Sequence, residues 1–219
     1  MLKDLNLPAL NDALDEIEFF ERERTDRGVV ELSLVLYNAG LSLRKVELVL
    51  GWLGVERSHV SIWRWVVKFG QRLAATGRRP VAAVPPRVML DETVVRQRGE
   101  EFTLFAALDP ATRRIVHLNV YPVRNYLTTR LFLAELEQLY GTVPSTIVTD
   151  DAQEYGDVFV DAGVFHVVFR HGPRNRLERW FQELKRRIDV FYASFSGASV
   201  EPTRELLRQF VWFWNECLT

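Results

Sequence analysis

Apolar residues recur at two different spacings along the chain, and the change of spacing divides it into two parts. Before residue 77 they recur every three or four residues, the period of an amphipathic helix. Residues 11–39 are predicted to be helical, with Gly40 as the stop after Asn38. Ser42 is predicted to cap a second helix that ends near Leu53, because serine is a favoured N-cap residue. Residues 1–76 are therefore predicted to be all-α.

The stretch that follows Ser42 is typical of a helix-turn-helix. Gly54 marks a short turn, and Ser58 caps a further helix that runs through Lys68, which gives two helices joined at a steep angle. In such a unit, at about 41–68, the second helix presents its side chains to the major groove of DNA. A plain helical hairpin is the alternative. The predicted small core is Val46, Leu50, Leu53, Val55, Val60, Ile62 and Val66, and the predicted DNA-facing residues are Ser58, His59, Ser61, Trp63, Arg64 and Lys68.

Residues 77–86, GRRPVAAVPP, contain three prolines and are predicted to be a linker, since proline suits neither a helix interior nor a central strand. After the linker, short apolar runs with turn residues between them predict strands and helices in the order βββαβαβα. The first three strands are joined by hairpins and the later ones through helices. This order predicts a mixed α/β domain over 87–219, with a five-stranded sheet that carries helices on its faces.

The predicted strands are Arg87–Leu90, Phe102–Leu108, Ile115–Tyr121, Thr146–Thr149 and Val164–Phe169. Helices are predicted at Thr128–Tyr140, near Ala152–Ala162 and from about Asn175. The last helix has an apolar stripe formed by Leu177, Phe181, Leu184 and Ile188. Glu178 lies beside this stripe, within a segment that holds seven basic residues between 170 and 187. A solvated amphipathic helix is one interpretation of this segment, and a surface that faces an anion is the other.

Three carboxylates are candidates for a metal site: Asp91 after the first strand, Asp150 after the fourth, and Glu178 on the last helix. Adjacent strand ends converge in a sheet, and a helix packed across that edge adds a third ligand. Carboxylates without cysteine suit Mg²⁺ or Mn²⁺, and a pair of such ions can promote phosphoryl transfer. Asp91 and Asp150 are each followed by a second acid and could instead be ordinary turn residues. We prefer the first acid of each pair, because it directly ends the apolar run.

Composition and charge narrow the possibilities further. Cys217 is the single cysteine in 219 residues, which excludes an intrachain disulfide and a cysteine-based zinc site. No apolar stretch approaches the roughly 18 residues of a membrane span, and the acidic N-terminus does not resemble a signal peptide, so we expect a cytoplasmic protein with no membrane partner. Net charge is −1, but residues 41–80 hold eight bases against two acids. The basic local field favours an anionic polymer as partner.

The ordered motifs resemble a known family. The helix-turn-helix, LDET with Asp91, TDDAQEY with Asp150 and RHGPRNRLERWFQELKRR with Glu178 are similar to the DDE transposases of bacterial and archaeal insertion sequences, above all the compact archaeal members of the insertion-sequence-six family. The resemblance runs from about Gly40 to Asn215. The chain departs from the pattern in its short interval between Asp150 and Glu178, in its slightly acidic net charge and in its first 35 or so residues, which match no motif.

The resemblance implies an RNase H-like catalytic domain with two Mg²⁺ ions, or Mn²⁺, held by Asp91, Asp150 and Glu178. It implies cleavage at the 3′ ends of the element and their joining to target DNA. The partners would be double-stranded DNA, as transposon ends and target, and further copies of the chain in a homodimer or larger assembly. A nucleoid-associated protein of a prokaryote is then expected. Residues expected to contact DNA near the triad are Arg174, Asn175, Arg176, Arg179, Lys185 and Arg186.

Two other functions stay open. A DNA-binding regulator whose catalytic domain has decayed would keep Arg64 and Lys68 and need no metal. A nuclease of the RNase H-like group would hydrolyse DNA without joining it to a target. The products and the metal requirement discriminate among the three.

Overall fold

The computed structural model describes residues 7–97, 100–149, 156–168, 182, 186 and 200–218. The chain forms two compact units. The first, the helical unit, comprises residues 1–78 and 187–219, and the second, the sheet unit, comprises residues 79–186. Among the described residues, no helix has the length and hydropathy needed to cross a bilayer.

Four helices form the N-terminal part of the helical unit: α1 (Leu7–Glu16), α2 (Arg27–Asn38), α3 (Leu43–Trp52) and α4 (His59–Ala75). The caps predicted for the third and fourth helices are present. Ser42 Oγ accepts a hydrogen bond from the Lys45 amide, and Ser58 Oγ accepts one from the Ser61 amide. Gly54, in the turn between α3 and α4, has a φ of +77°, a conformation that glycine adopts without strain. Helix α4 continues seven residues past the predicted end at Lys68.

The first predicted helix, residues 11–39, is interrupted. Residues 17–26 form a turn between α1 and α2, in which Glu18 and Arg22 adopt left-handed φ angles of 50° and 61°. Asp26 then begins α2, because its side chain accepts a hydrogen bond from the Gly28 amide. The turn is held from α4: Arg72 Nη1 donates to the Ile17 and Glu18 carbonyl oxygens, at 2.8 Å each. Arg72 on α4 thus binds carbonyl groups of the turn that follows α1, whereas the last carbonyls of α1 itself accept from the amides of residues 17–19.

A C-terminal helix, α7 (Val200–Phe213), and the π-helical turn Trp214–Leu218 complete the helical unit. The ring of Phe69 on α4 lies 5.4 Å from that of Trp212 and 5.6 Å from that of Phe213, measured between centroids. The aromatic residues near the C-terminus, Phe210, Trp212, Phe213 and Trp214, are therefore part of the core of this unit. We predicted that the catalytic domain extends to residue 219, whereas the structure groups residues 187–219 with the N-terminal helices. The apolar face of α7 packs against α4 there.

The sheet unit contains a mixed five-stranded sheet in the order β3-β2-β1-β4-β5. The chain order of its elements matches the predicted one: β1 (Arg87–Gln97), β2 (Glu100–Leu108), β3 (Ile115–Tyr121), α5 (Tyr126–Tyr140), β4 (Thr146–Thr149), α6 (Gly156–Asp161) and β5 (Phe165–Val168). Strands β1, β2 and β3 are antiparallel, and β4 pairs in parallel with both β1 and β5. The predicted mixed sheet is confirmed. The last predicted helix lies mostly outside the described residues.

Side chains alternate between the two faces of the sheet. One face, which we call the helix face, packs against α5 and α6 in a core that includes Val88, Leu90, Phe105, Ile147, Phe132 and Phe159. The side chains of Met89, Ala106 and Val148 alternate with these and belong to the opposite face, where they are also buried. Because successive side chains point to different faces, even-numbered residues of β1 belong to the helix face and odd-numbered residues to the opposite face.

Candidate active site

Asp91 lies inside β1, six residues before the end of that strand, and not at a strand end as we predicted. The strand is longer than its apolar run because it continues in an antiparallel pair with β2 as far as Gln97↔Glu100. Pairing with β4 ends earlier, at Met89↔Val148. Asp91 therefore lies where β1 has just passed the end of its parallel neighbour. By alternation its side chain belongs to the opposite face, with Met89.

Asp91 and Glu92 were the two candidates at this position, and they lie on different sides of the sheet. Glu92 belongs to the helix face, where its Oε1 is 2.8 Å from Nη1 of Arg124, the residue before the N-cap of α5. The amide of Glu92 donates to Oδ1 of Asp91 at 2.9 Å. Glu92 is thus engaged in joining β1 to the start of α5, and Asp91 is the acid presented to the other face.

The fourth strand ends at Thr149, one residue before the predicted ligand Asp150. Thr149 is buried, and its Oγ1 lies 2.8 Å from Nε2 of His166 on β5. The His166 ring packs against Phe159 of α6, with centroids 4.8 Å apart, and burial lowers the pKa of His166. His166 is therefore a helix-face residue in a polar contact with the end of β4.

Most residues predicted around Glu178 fall outside the described part of the chain. Asp150, Glu178, Arg174, Asn175, Arg176, Arg179 and Lys185 all belong to this group. Arg186 is described, and it is helical with an exposed side chain. Of the predicted triad, Asp91 alone belongs to the described residues.

The donor chemistry near Asp91 fits a hard divalent cation. Cys217 belongs to the helical unit and is buried there, and His117 and His166 are both engaged on the helix face of the sheet. Carboxylate oxygen is thus the ligand type that β1 presents on its opposite face, and oxygen is the donor that Mg²⁺ and Mn²⁺ prefer. Among the described residues, no three His, Cys, Asp or Glu side chains lie close enough together to hold a metal ion.

The residues predicted to face DNA at the start of α4 are exposed or half-buried. Ser58 and Ser61 share the cap of α4, with their hydroxyl oxygens 3.2 Å apart. His59 Nδ1 lies 3.0 Å from Oε2 of Glu47 on α3, which joins the two helices. Trp63 is half-buried and Arg64 is exposed. All five residues lie near the N-terminal end of α4, and Arg64 is the exposed basic residue among them.

Lys68 differs from this group because its ammonium is used inside the helical unit. Its Nζ donates to the main-chain carbonyl oxygen of Phe19 and, at 3.3 Å, to that of Glu21. Burial lowers the pKa of Lys68, and the nearby charge of Arg72 acts in the same direction. Lys68 thus holds the turn after α1, whereas we predicted that it faces DNA.

Two residues assigned to the small core are exposed instead. Leu53 lies in the turn after α3, and Val60 lies on the outward side of α4. Val60, Arg64 and Gln71 are exposed at spacings of four and seven residues, so they share one face of α4. Val60 and Gln71 were not among the predicted DNA-facing residues, although the helical period already places both with Arg64.

Acids of the N-terminal segment form ion pairs with two of the eight bases counted in residues 41–80. Arg72 Nη2 lies 3.3 Å from Glu21 Oε2, and Arg78 Nη1 lies 3.1 Å from Glu16 Oε2. Outside these pairs, the exposed bases of this region include Arg44, Lys45, Arg57 and Arg64, which lie on α3, in the turn before α4 and on α4. The basic surface is thus narrower than the sequence count indicated and is centred on α3 and α4.

Several solved structures are similar to this chain. An intasome of simian T-cell lymphotropic virus, solved with the PP2A regulatory subunit B56 gamma, matches with a TM-score of 0.49 and 12% identity, over 84% of this chain and 68% of the other. The HTLV-2 integrase catalytic core domain, solved with magnesium, matches with a TM-score of 0.47 and 14% identity, over 61% of this chain and 88% of the other. The BIV integrase core matches with a TM-score of 0.43 and 16% identity, over 57% and 80% of the two chains.

Sequence comparisons give the family. An uncharacterized protein of Methanocaldococcus jannaschii is 26% identical over 212 residues, which cover 96% of each chain. The family model of the DDE domain of IS240-type transposases matches residues 86–196, just over half of the chain. This match includes Asp91, Asp150 and Glu178 and spans all five strands of the sheet. The chain therefore belongs to the IS240-type DDE transposases, which are enzymes of the polynucleotidyl transferase class.

Proposed function

We propose that this protein is the transposase of an insertion sequence, which binds the terminal inverted repeats of its element and cuts and joins DNA with the aid of Mg²⁺. The catalytic carboxylates in this proposal are Asp91, Asp150 and Glu178. The helix-turn-helix formed by α3 and α4 is the part that recognises the repeats. The protein would act in the cytoplasm, on the nucleoid.

The observation that carries the proposal is the parallel register of β1 and β4. Met89 lies opposite Val148, so position 91 and position 150 are each two residues beyond the same paired position. Consecutive Cα atoms are about 3.8 Å apart, which keeps Asp150 close to Thr149, the last residue of β4. If the alternation of β4 continues for one residue, Asp150 points to the same face as Asp91. This register supports a shared site for the two aspartates.

Asp91, Asp150 and Glu178 would hold the metal, with Glu178 supplied by the helix predicted from about Asn175. Bound between these carboxylates, a pair of divalent ions would stabilise the charge that develops on the entering and leaving oxygens of a phosphoryl transfer. The residues of the chain itself fix where the DNA phosphate lies. Arg174, Asn175, Arg176, Arg179, Lys185 and Arg186 are proposed to contact the phosphates beside the site.

Two phosphoryl transfers make up the proposed reaction. In the first, a water oxygen attacks the phosphodiester at the end of the element, and the bond to the 3′ oxygen breaks, which leaves a 3′-hydroxyl group. In the second, that 3′ oxygen attacks a phosphodiester of the target DNA and displaces another 3′ oxygen. The first step converts one phosphodiester and one water into a 5′-phosphate and a 3′-hydroxyl group, and the second exchanges one phosphodiester for another while one 3′-hydroxyl group replaces another.

The exposed residues of α3 and α4 support the proposed repeat recognition. Helices α2, α3 and α4 pack against one another, and the mostly exposed turn 53–58 connects α3 to α4. Arg64 lies on the outward face of α4, and Ser58, His59, Ser61 and Trp63 lie near its start. Bases on α3 and in the turn can neutralise the phosphates that flank a major groove. Since two ends of an element are joined in one reaction, we further propose that the active protein is a dimer or a larger assembly.

The chemistry is tested with DNA that carries the terminal inverted repeats taken from the flanks of the gene. Cleavage at the repeat ends and joining to a supercoiled plasmid are measured with Mg²⁺ for the wild type and for Asp91→Asn, Asp150→Asn and Glu178→Gln. Each substitution is expected to abolish both steps. Glu137→Gln, an exposed acid on α5, is the matched control and is expected to retain both.

Each other outcome has a definite meaning. Undiminished activity in one of the three variants would remove that residue from the site. Cleavage without joined products would identify a hydrolytic nuclease, and repeat binding without either product would identify a DNA-binding regulator.

A further inference from the structure

The contact between Glu92 and Arg124 lies directly behind Asp91, on the other side of the sheet. Glu92 Oε1 and Arg124 Nη1 are 2.8 Å apart, and the two side chains are 13% and 38% exposed. The amide of Glu92 donates to Oδ1 of Asp91. A chain of contacts therefore runs from the guanidinium of Arg124, through the side chain and amide of Glu92, to the carboxylate of Asp91.

An ion pair at this position is unusual for the face on which it lies. The residues that precede Glu92 on this side of β1 are Val88 and Leu90, and its partner on β2 is Phe105, all of them buried and apolar. A largely buried charge destabilises a fold unless it is paired, and an apolar residue of similar size commonly serves the core as well. The packing of this face therefore does not explain why residue 92 is an acid. Its contact with the neighbouring Asp91 offers an explanation.

An acid at position 92 is useful if Asp91 is a metal ligand, because a ligand must be held in a defined geometry. Ligand distances in a metal site are defined to within about 0.2 Å, and contacts behind the ligands commonly change metal affinity by about 10-fold to 100-fold. The contact of the Glu92 side chain with Arg124 adds to the pairing with β2 in restraining the peptide between residues 91 and 92. The amide of that peptide then holds the Asp91 carboxylate in one orientation. Arg124 can supply this anchor because it immediately precedes Asn125, whose capping box fixes the start of α5.

We propose that Glu92 and Arg124 are positioning residues that orient Asp91 for metal binding from the far side of the sheet. This inference rests on the proposed function, since it takes Asp91 as a metal ligand. In this role both residues act through Asp91 and not by direct contact with the metal. Their action is confined to the orientation of the Asp91 carboxylate.

The same face of the sheet offers a matched control pair. His117 Nε2 on β3 lies 2.7 Å from Glu135 Oε2 on α5, and the two side chains are 13% and 30% exposed. This pair also joins a strand to α5, but β3 is the edge strand farthest from β4 in the sheet order. Removing it should weaken the attachment of α5 without any effect on Asp91.

The experiment measures Mn²⁺ binding to the full-length protein without DNA, from the electron paramagnetic resonance signal of free Mn²⁺, together with the melting temperature. Glu92→Gln and Arg124→Gln are each expected to weaken Mn²⁺ binding by about 10-fold or more. Arg124→Lys keeps the positive charge and is expected to recover part of that loss. His117→Gln is expected to lower the melting temperature while leaving Mn²⁺ affinity within about two-fold of the wild type.

The outcomes separate this inference from the proposed function. If Asp91→Asn abolishes Mn²⁺ binding but Glu92→Gln and Arg124→Gln lower only the melting temperature, the pair is structural and the positioning role is wrong. If Asp91→Asn leaves Mn²⁺ binding unchanged, the proposed metal site itself is wrong. Because Arg124 is more than one-third exposed, Arg124→Gln still reports on the pair should Glu92→Gln fold poorly.

Discussion

The ammonium of Lys68 donates to the main-chain carbonyl oxygen of Phe19, 49 residues earlier in the chain, and lies 4.7 Å from the centroid of the Phe19 ring. A cation at this point satisfies a carbonyl group of the turn between α1 and α2, which belongs to neither helix. Arg64 lies on the same helix, one turn earlier, and is exposed. Two bases that look equivalent in the sequence therefore have different surroundings.

Substitution of these two bases should separate stability from DNA binding. Lys68→Ala is expected to lower the free energy of unfolding by about 1–3 kcal/mol, because hydrogen bonds made by a charged group are lost. Arg64→Ala should change it by less than about 0.5 kcal/mol, as is usual at exposed positions. Chemical denaturation followed by tryptophan fluorescence measures both, since five of the six tryptophans lie in residues assigned to the helical unit.

The same two variants are compared for binding to terminal-repeat DNA at several salt concentrations. Arg64→Ala is expected to weaken binding and to reduce the slope of log affinity against log salt by about 1, the effect of losing one phosphate contact. Lys68→Ala, measured where it is folded, should keep the wild-type slope. A reduced slope for Lys68→Ala alone would reverse the two roles.

The sequence predicted the sheet well because its signals there are local. The limits of β3, β4 and α5 follow from apolar runs and from turn residues such as Pro110 and Gly141, and the structure agrees to within two residues at each boundary. The extension of β1 to Gln97 was missed because those residues are ordered by pairing with β2, and Val94 and Val95 are the sole apolar residues among them. We preferred Asp91 to Glu92 as the metal ligand, and strand alternation places the two on different faces of the sheet. Asp91 is the acid on the face that α5 does not cover, and the sequence does not show which face that is.

Long-range contacts account for most of what the sequence did not predict. The turn at residues 17–26 depends on donors from Lys68 and Arg72, which lie about 50 residues away. The association of α7 with α4 depends on Phe69, Trp212 and Phe213, whose spacing in the sequence carries no sign of contact. Apolar periodicity shows that a helix has a buried side, but it does not show what that side packs against.

Acid should weaken the contact between Glu135 and His117. Burial alone would raise the pKa of the Glu135 carboxyl, but hydrogen bonds from His117 and Asn119 hold it below its usual value. A carboxyl with a lowered pKa in the folded state adds stability above its unfolded pKa, and this contribution is lost as the pH falls through the folded pKa. Glu135→Gln is therefore expected to lower the free energy of unfolding by about 1 kcal/mol at pH 7.

The difference between the wild type and Glu135→Gln should shrink as the pH falls below about 4.3, the ordinary pKa of a glutamate. Urea denaturation followed by far-ultraviolet circular dichroism between pH 3 and pH 7 measures it. Glu137→Gln, an exposed acid on the same helix, serves as the control and should show no such dependence. A difference that stays constant down to pH 3 would contradict the role given to the Glu135 carboxylate.

Cys217 should report the opening of the helical unit. Burial raises the pKa of its thiol to about 12, and the charge of Glu216 acts in the same direction. Since the thiolate is the reactive form, the folded protein at pH 8 has on the order of 1,000-fold less thiolate than an unfolded chain. An aromatic disulfide reagent should therefore label the native protein slowly and the protein in guanidinium at once. Rapid labelling of the native protein would show that the thiol is accessible.

Phe69 is expected to contribute strongly to the stability of the helical unit, because it contacts both the N-terminal and the C-terminal segments of that unit. Its ring is fully buried, 6.4 Å from the ring of Phe19 and within 6 Å of the rings of Trp212 and Phe213. Phe69→Ala removes the contacts of α4 with both segments and leaves a cavity, so it should lower the free energy of unfolding by about 3–5 kcal/mol. Phe165→Ala, at an exposed position on β5, is the control and should have little effect.

The labelling of Cys217 shows whether this loss extends to the C-terminal segment. If α7 and the N-terminal helices form one cooperative unit, Phe69→Ala should speed the labelling of Cys217 by the factor that its loss of unfolding free energy implies, about tenfold for each 1.4 kcal/mol. This requires that labelling proceeds through unfolding of the whole unit. Faster unfolding by fluorescence with unchanged labelling would instead mean that the two segments open independently. In that case the C-terminal helix would not be needed for the stability of helices α3 and α4.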